Sequence, residues 1–466
     1  MSSLLLPGQR QLNRLFHWMV VFAVLGPTLG FPLPGSEYKM TLFRIAFILL
    51  AAGLTVRWVR ENSLPSSHMY PVRWYPAFFA FWLIYAAVSL TWVGHMGYGL
   101  RYVIFLGMML LLCLSFPYFL KTIQYMQKMA KVLFGVFATI VVYGLIEAVT
   151  YWHLPASRYE FGEVSPNPTS FFTNQNDFAT AITLGLPFLV TGMYMIPIHR
   201  KTKGWIYATG IIALCCLFLT GSRSNSGFAL PLAAVAWAAL VPVSVERKKL
   251  STRNVLRGLT LLSLAAVIVS ALLSSVLSQQ TRDKLESTRG IFQDIQGSWE
   301  LPETGEKPGF EEPASEDKSI SIRVFLIRNG LQFLQNSHFL GVGAGNVEYY
   351  MKGAPGVEDK KNMHNWWMEI LVNFGILIFV LYMAFYLWML WRLFRLSRVK
   401  VYPELSPFVR WGAVSSLVAL VGYVFGGMSP STAIHFTPMW IVYGFALTVI
   451  AVGERQKEKR GWNAPA

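Results

Sequence analysis

Apolar residues gather along this chain into runs long enough to cross a bilayer, and short polar stretches separate them. A helix needs about 20 such residues to span the hydrocarbon core. Runs of that kind lie near 15–33, 41–59, 75–94, 98–120, 130–150, 178–198, 205–221, 226–244, 255–277, 366–391, 408–428 and 437–453. The pattern predicts an all-α polytopic membrane protein with about twelve transmembrane helices. Nine spans fill 1–277, a loop domain fills 278–364, three more spans fill 365–453, and 454–466 forms a tail. The turn between the spans that meet around Gly221 to Gly227 is very short.

Lys and Arg fix the orientation. They cluster at Arg10/Arg14, Arg57/Arg60/Arg73, Lys121/Lys128/Lys131, Arg200/Lys201/Lys203, Arg247–Arg257, Arg392–Arg410 and Arg455–Arg460, which are alternate connections. The short connections between them, such as 94–97 and 429–436, carry almost none. Positive connections stay in the cytoplasm, so both termini are expected there. Two outer connections are long, 151–177 and 278–364. Within the second, 300–317 (ELPETGEKPGFEEPASED) is acidic, rich in Pro and Gly, and too poor in apolar residues to order itself. The flanking stretches 281–297 and 320–336 carry helical periodicity, as at Ile322, Phe325, Ile327, Leu331 and Leu334. No internal repeat is evident, so an inverted-repeat transporter is not supported.

Composition agrees with the pattern. The chain is 54% hydrophobic and 14% charged, where a soluble domain carries about a quarter charged residues. Its net charge of +16 would suit nucleic acid, but the cations sit between spans and not along one polar face, so no nucleic-acid partner is expected. Cys113, Cys215 and Cys216 all lie inside apolar runs, which speaks against a disulfide framework or a zinc site. The basic N-terminus leads into an apolar run without a small-residue cleavage site, so the first span reads as uncleaved.

Candidate chemistry concentrates on the outer side. In Met363-His364-Asn365-Trp366-Trp367, two Trp can anchor the helix at the headgroups while His and Asn satisfy its first free N–H groups. Alternatively His364 is a general base, its imidazole titrating nearest working pH. Arg223, in Thr220-Gly221-Ser222-Arg223-Ser224-Asn225, either snorkels to water or binds an anion. Arg323 and Arg328 are further cations on that side, and paired guanidinium donors suit a diphosphate. The turn Gly341-Val342-Gly343-Ala344-Gly345 has no strand before it and is no nucleotide loop; it suits a close backbone approach to a ligand or helix. Asn174-Gln175-Asn176-Asp177 can cap the sixth span or touch sugar hydroxyls. Asp-x-Asp pairs and clustered metal ligands are missing from the outer side, so neither a metal nor another cofactor is expected.

Together these segments resemble the O-antigen ligase and polymerase superfamily of bacterial inner-membrane proteins. The family carries His-Asn (or His-Ser, His-Gln) followed after nine residues by Gly, and here His364-Asn365 is followed after nine residues by Gly375. A final Gly, Thr or Tyr of that motif is replaced by Ile378. Ser222-Arg223 looks like the family's Ser-Arg motif, and Ser321-Ile322-Arg323 with Gly341-Val342-Gly343 looks like the segment entering its glycine-rich turn. Asn174-Gln175-Asn176 resembles the Asn-rich start of a middle span.

The resemblance implies a GT-C-like membrane glycosyltransferase with a periplasmic active site, and it favours the catalytic reading of His364. It implies His364, Arg223 and Arg323 as catalytic, and Arg328, Asn365, Asn174, Asn176, Gly343 and His338 as substrate-binding. Its implied partners are undecaprenyl-diphosphate-linked O-antigen, lipid A–core oligosaccharide and membrane lipids. Polymerases of the superfamily often carry Arg-x10-Gly in periplasmic loops; Arg247 and Gly258 match that spacing on the cytoplasmic side. Ligase therefore ranks before polymerase and protein O-oligosaccharyltransferase. A lipid-linked glycan flippase is the rival from another class.

The charge alternation is testable. A cysteine placed at Ser315 should react with an impermeant maleimide on intact cells. Reaction only after lysis would reverse the orientation.

Overall fold

The computed structural model describes residues 8–32, 39–62, 64, 66–165, 167–276, 318–358, 360–430 and 433–459. The expected helix at 281–297 and the acidic stretch 300–317 lie outside them. The described part is nearly all helix. Its long elements are α1 (Gln9–Leu25), α2 (Leu42–Glu61), α3 (Trp74–Val88), α4 (Met96–Phe119), α5 (Ile123–Thr150), α6 (Gln175–Met195) and α7 (Arg200–Leu219). They continue with α8 (Leu230–Ser244), α9 (Thr252–Val276), α10 (Lys318–Asn336), the short α11 (Val347–Met351), α12 (Trp366–Ser397), α13 (Pro407–Gly426) and α14 (Thr437–Lys459). Among the described residues, eleven helices are long and apolar enough to cross a membrane. The fold is the expected all-α polytopic one.

The first span differs from the expected 15–33. Helix α1 begins at Gln9 and stops at Leu25, because Gly26 takes a left-handed φ of 56° and Pro27 has no N–H with which to continue. The apolar residues beyond it serve a small hairpin, Gly30–Pro32 pairing antiparallel with Lys39–Thr41. An apolar run can thus continue past a helix that Gly-Pro has already ended.

Burial separates centre from periphery. In α13 and α14, 83% of the apolar stretch is buried, against 17% in α2 and 11% in α9. Helix α13 packs against α6, α8, α12 and α14, and α14 packs against α4. The outermost helices leave residues such as Ile48, Leu49 and Val267 exposed, the surface that lipid would cover.

One irregularity organises the end of the bundle where α10 and α12 meet. Helix α12 breaks at Gly375, whose φ of 75° and ψ of −176° are not helical. The Ile376 N–H, which would have bonded Val372 four residues back, donates to the Phe339 carbonyl at 3.1 Å. The freed carbonyls of Val372 and Asn373 accept from the N–H groups of Val342 and Gly343 at 2.9 and 3.0 Å. Neither backbone could come so close with a side chain between them: a Cβ on Gly341 would lie 2.5 Å from the Gly375 nitrogen. On its far side the turn is clamped by Tyr85 OH to Leu340 O (2.8 Å), Trp92 Nε1 to Gly341 O (3.1 Å) and Ala344 N to Ser89 Oγ (3.0 Å). Beneath it, Leu326, Val342, Val347, Met351, Val357, Met363 and Val372 form a small second core. The glycine turn approaches a helix, and these bonds hold the α10–α11 segment on the long apolar helices.

Gly375→Ala should therefore destabilise the protein by more than about 2 kcal/mol, since a left-handed φ alone costs an L-residue roughly 1–2 kcal/mol. The added methyl would also collide with the Phe339 carbonyl. Gly135→Ala, inside α5 where a Cβ meets nothing within 4 Å, should be neutral or stabilising by up to about 1 kcal/mol. Thermal unfolding in detergent compares the two. Equal melting temperatures would contradict the role assigned to the break.

Candidate active site

The turn between α7 and α8 is built around a buried asparagine. Residues Ser224–Ala229 form a π-helical turn leading into α8; such turns widen the helix and recur at functional sites. Asn225 Nδ2 donates to Thr180 Oγ1 (3.1 Å), Ser222 Oγ (3.0 Å) and Ser429 Oγ (3.0 Å), and its Oδ1 accepts from Thr183 Oγ1 (3.0 Å). One side chain thereby ties α6, the α7–α8 turn and the segment after α13. A polar network among apolar helices is rigid when fully satisfied, because an unmade bond there is costly. Arg223 sits beside this hub, half-buried.

Arg323 reaches the same turn from α10. On α10, its Nη1 donates to Ser224 Oγ at 3.0 Å, so it meets the residue that follows Arg223 in the chain. Arg328, one turn and more along α10, is exposed. His338 is exposed on the turn after α10, with a left-handed φ of 49°.

His364 lies at the mouth of α12. Its φ of 48° is left-handed, a conformation that costs energy in a non-glycine residue and clusters at functional sites. Asn365 caps the helix, its side chain accepting from the N–H groups of Trp367 (3.1 Å) and Met368 (3.3 Å). The Trp366 N–H donates to Gly427 O at 2.8 Å, two residues from Ser429 of the asparagine network. Trp366 is fully buried, bonded to Tyr382 OH at 2.8 Å and packed edge-on against Trp440. The headgroup-anchor reading of Trp366 is corrected accordingly: it is a core residue that fixes where α12 starts. Trp367 donates from Nε1 to Val424 O at 2.9 Å and also faces inward.

The ring of His364 is half-buried, and among the described residues none hydrogen-bonds it. Burial, then the nearby charges of Arg323 and Lys360, push its pKa down to about 4. A desolvated imidazole flanked by two cations resists a third positive charge. At neutral pH it is unprotonated, the form a base requires.

The other expected residues have structural tasks. Asn174 caps α6, accepting from the N–H groups of Asn176 (2.9 Å) and Asp177 (3.0 Å) and donating to Asp177 Oδ2 (3.1 Å). Asn176 is half-buried one turn above Thr180, whose hydroxyl bonds its carbonyl at 2.9 Å. Gly343 faces Ser89 O, 3.1 Å from where a Cβ would stand. The structure thus brings Arg323, the Ser222–Asn225 turn and His364 together, and leaves Arg328 and His338 on the surface. Ser224, Asn225, Ser429 and Lys360 were not singled out in the sequence. The Lys360-Lys361 pair just before the His364 segment was the available signal for the last of them.

Comparison with known proteins gives the class. Residues 208–383 match the family model described as O-Antigen ligase, and that stretch holds Arg223, Arg323, the glycine turn and His364. The segment is similar to that family, and the match supports a membrane protein of glycan ligase or polymerase type. A relative over nearly the whole chain is the teichuronic acid biosynthesis protein TuaE of Bacillus subtilis (strain 168), 29% identical over 438 residues, covering 90% of this chain and 80% of the relative.

The depressed pKa of His364 has a measurable consequence. NMR of ring-labelled histidine should show its resonance, assigned by comparison with His364→Ala, titrating near pH 4. Arg323→Ala should move the midpoint up toward the unperturbed value near 6.5. The native protein then holds fewer protons at this site than the unfolded chain between those values. Its contribution to stability is complete above about pH 6.5 and is lost as pH falls through about 4. A midpoint at 6.5 in the unaltered protein would remove the electrostatic description of the site.

Proposed function

We propose that this protein transfers a polymeric glycan from undecaprenyl diphosphate to the lipid A–core oligosaccharide, on the periplasmic face of the bacterial inner membrane. The observation that carries the reading is the meeting of Arg323 with Ser224, beside Arg223, next to an unprotonated His364. His364 removes the proton from the acceptor hydroxyl. The oxygen attacks the anomeric carbon from the side opposite the diphosphate, the bond to diphosphate breaks with its electron pair, and the anomeric centre inverts. Arg223 and Arg323 stabilise the charge that grows on the leaving diphosphate. Diphosphate is already a good leaving group, so the residues named suffice without a metal.

Donor binding also tunes the base. A diphosphate against Arg323 offsets one of the charges that hold His364 unprotonated, so the imidazole becomes more basic once the donor is in place. Asn365, Asn174, Asn176 and Gly343 position backbone around the site, while Arg328 and His338 meet substrate from the surface.

A second reading concerns the acceptor alone. The Bacillus subtilis relative is named for teichuronic acid biosynthesis, which favours a surface polymer other than lipopolysaccharide as product, with the same donor chemistry.

The test is transfer by purified protein in detergent, with no energy source, run beside a donor-binding assay. His364→Ala should abolish transfer and leave donor binding nearly intact. Arg223→Ala and Arg323→Ala should weaken both, raising the barrier by about 2–4 kcal/mol, or roughly 30- to 1000-fold in rate. Arg→Lys should rescue poorly, since ammonium lacks the planar fork. Wild-type transfer by His364→Ala would end its assignment as base; transfer to polyprenyl-linked glycan but not to lipid A–core would select the second reading.

A further inference from the structure

The loop between α5 and α6 carries a cleft that the transfer chemistry leaves unused. It encloses about 690 Å3 and is lined by Trp152, Arg158, Tyr159, Glu160 and Phe161 among others, within the usual size of a ligand site. Trp152 is 57% exposed and Phe161 75% exposed. Their rings stand 6.2 Å apart at 63° to one another, and the Arg158 guanidinium lies 5.5 Å above the Tyr159 ring.

The loop that holds these rings is pinned. The carboxylate of Glu147, fully buried at the end of α5, accepts from His153 Nδ1 (2.8 Å), Thr169 N (2.9 Å), Thr169 Oγ1 (2.8 Å) and Ser170 N (2.5 Å). Tyr143 OH donates to Trp152 O at 2.7 Å, and the Arg158 N–H donates to Thr173 O at 2.8 Å. Tyr159 OH reaches Gln175 Oε1 at 3.4 Å, in the first turn of α6. One turn further on, Thr180 of the same helix contacts Asn225. The cleft is therefore a fixed surface on the outer edge of the helix that supports the transfer site.

Large rings held open to solvent on a rigid loop mark a contact surface. A bilayer is one candidate occupant, but exposed Glu160 and Glu163 interrupt the aromatic residues, and carboxylates are costly in hydrocarbon. A pyranose fits better. Its C–H face is apolar and packs on an aromatic plane, while its hydroxyl rim needs charged or polar partners such as Arg158 and Glu160. We propose that this cleft is a glycan subsite, holding one repeat of the sugar chain some distance from the bond that is made. The inference rests on the glycan-transfer reading above.

The probe is lipid-free oligosaccharide released by mild acid from the producing cell's own surface polymer. It is titrated calorimetrically into the full-length protein in detergent. Trp152→Ala and Phe161→Ala should each weaken binding about tenfold. In the transfer assay they should raise KM about as much for a long-chain donor, leaving KM for a single-repeat donor and kcat unchanged. Phe161, the more exposed ring, keeps the test decisive if Trp152→Ala folds poorly. No binding by the wild type, or equal binding by wild type and Phe161→Ala, overturns the subsite. Quenching by brominated lipid that disappears in Trp152→Phe also overturns it, by assigning the rings to the bilayer. Arg323→Ala should bind the oligosaccharide like wild type. Should Arg323→Ala and His364→Ala both transfer glycan normally while the rings still bind sugar, the transfer reading fails and the subsite stands.

Discussion

Backbone groups inside a bilayer have no water to turn to, and the protein meets that constraint at its most irregular point by exchanging partners. Where α12 breaks at Gly375, two carbonyls and one N–H leave the helix, and the turn from Phe339 to Gly343 supplies a partner for each. Breaking α12 without that turn would strand polar groups at a cost of several kcal/mol. The turn in turn fixes the end of α10, and α10 carries Arg323. The segment before the break starts at the Asn365 cap, immediately after His364. Both halves of the site are thus located by one backbone exchange.

A second constraint acts from within the bundle. Asn225 satisfies its whole amide with hydroxyls from three segments, and Trp366 hangs the mouth of α12 on Gly427. The turn after α13 therefore supports the Arg223 segment and the His364 segment together. Electrostatics then follow from position: Arg323 is close enough to Ser224 to bond it, and its charge adds to the burial that keeps His364 from taking a proton. Cations that would repel one another gain from an anion placed among them, which is the condition a diphosphate meets.

Much of this architecture was legible in the sequence for simple reasons. Length of apolar runs and alternation of Lys and Arg report directly on spans, and the spacing from His364 to Gly375 reports one helical mouth and its break. Span ends were less legible: Gly26-Pro27 stops α1 while the apolar run continues, so hydropathy overshot. Trp366 misled because a Trp-Trp pair at a span end has the composition of an interface belt, and only packing shows that this one faces Trp440. Asn225 was passed over because an amide beside a Ser-Arg pair looks like turn chemistry. Its importance comes from Thr180, Thr183 and Ser429, which are distant in the chain. Convergence of Arg323 on Ser224 is likewise a long-range fact, 99 residues apart, and no local pattern encodes it.

The burial of α13 and α14 bears on the order in which the molecule can be completed. Chains are made from the N-terminus, and helices enter the membrane as they emerge. Here the two most enclosed of the described spans, α13 and α14, come after the other helices they pack against. Until they arrive, α4, α6 and α8 each lack the helix they pack against most, and Asn225 waits without Ser429. The earlier spans can already pack among themselves, as α1 does with α2 and α6 with α7. These two spans therefore enter at the centre, after the helices that surround them are already in place. A ribosome stalled before Pro407 would leave a chain threaded through the membrane many times over and still without a site.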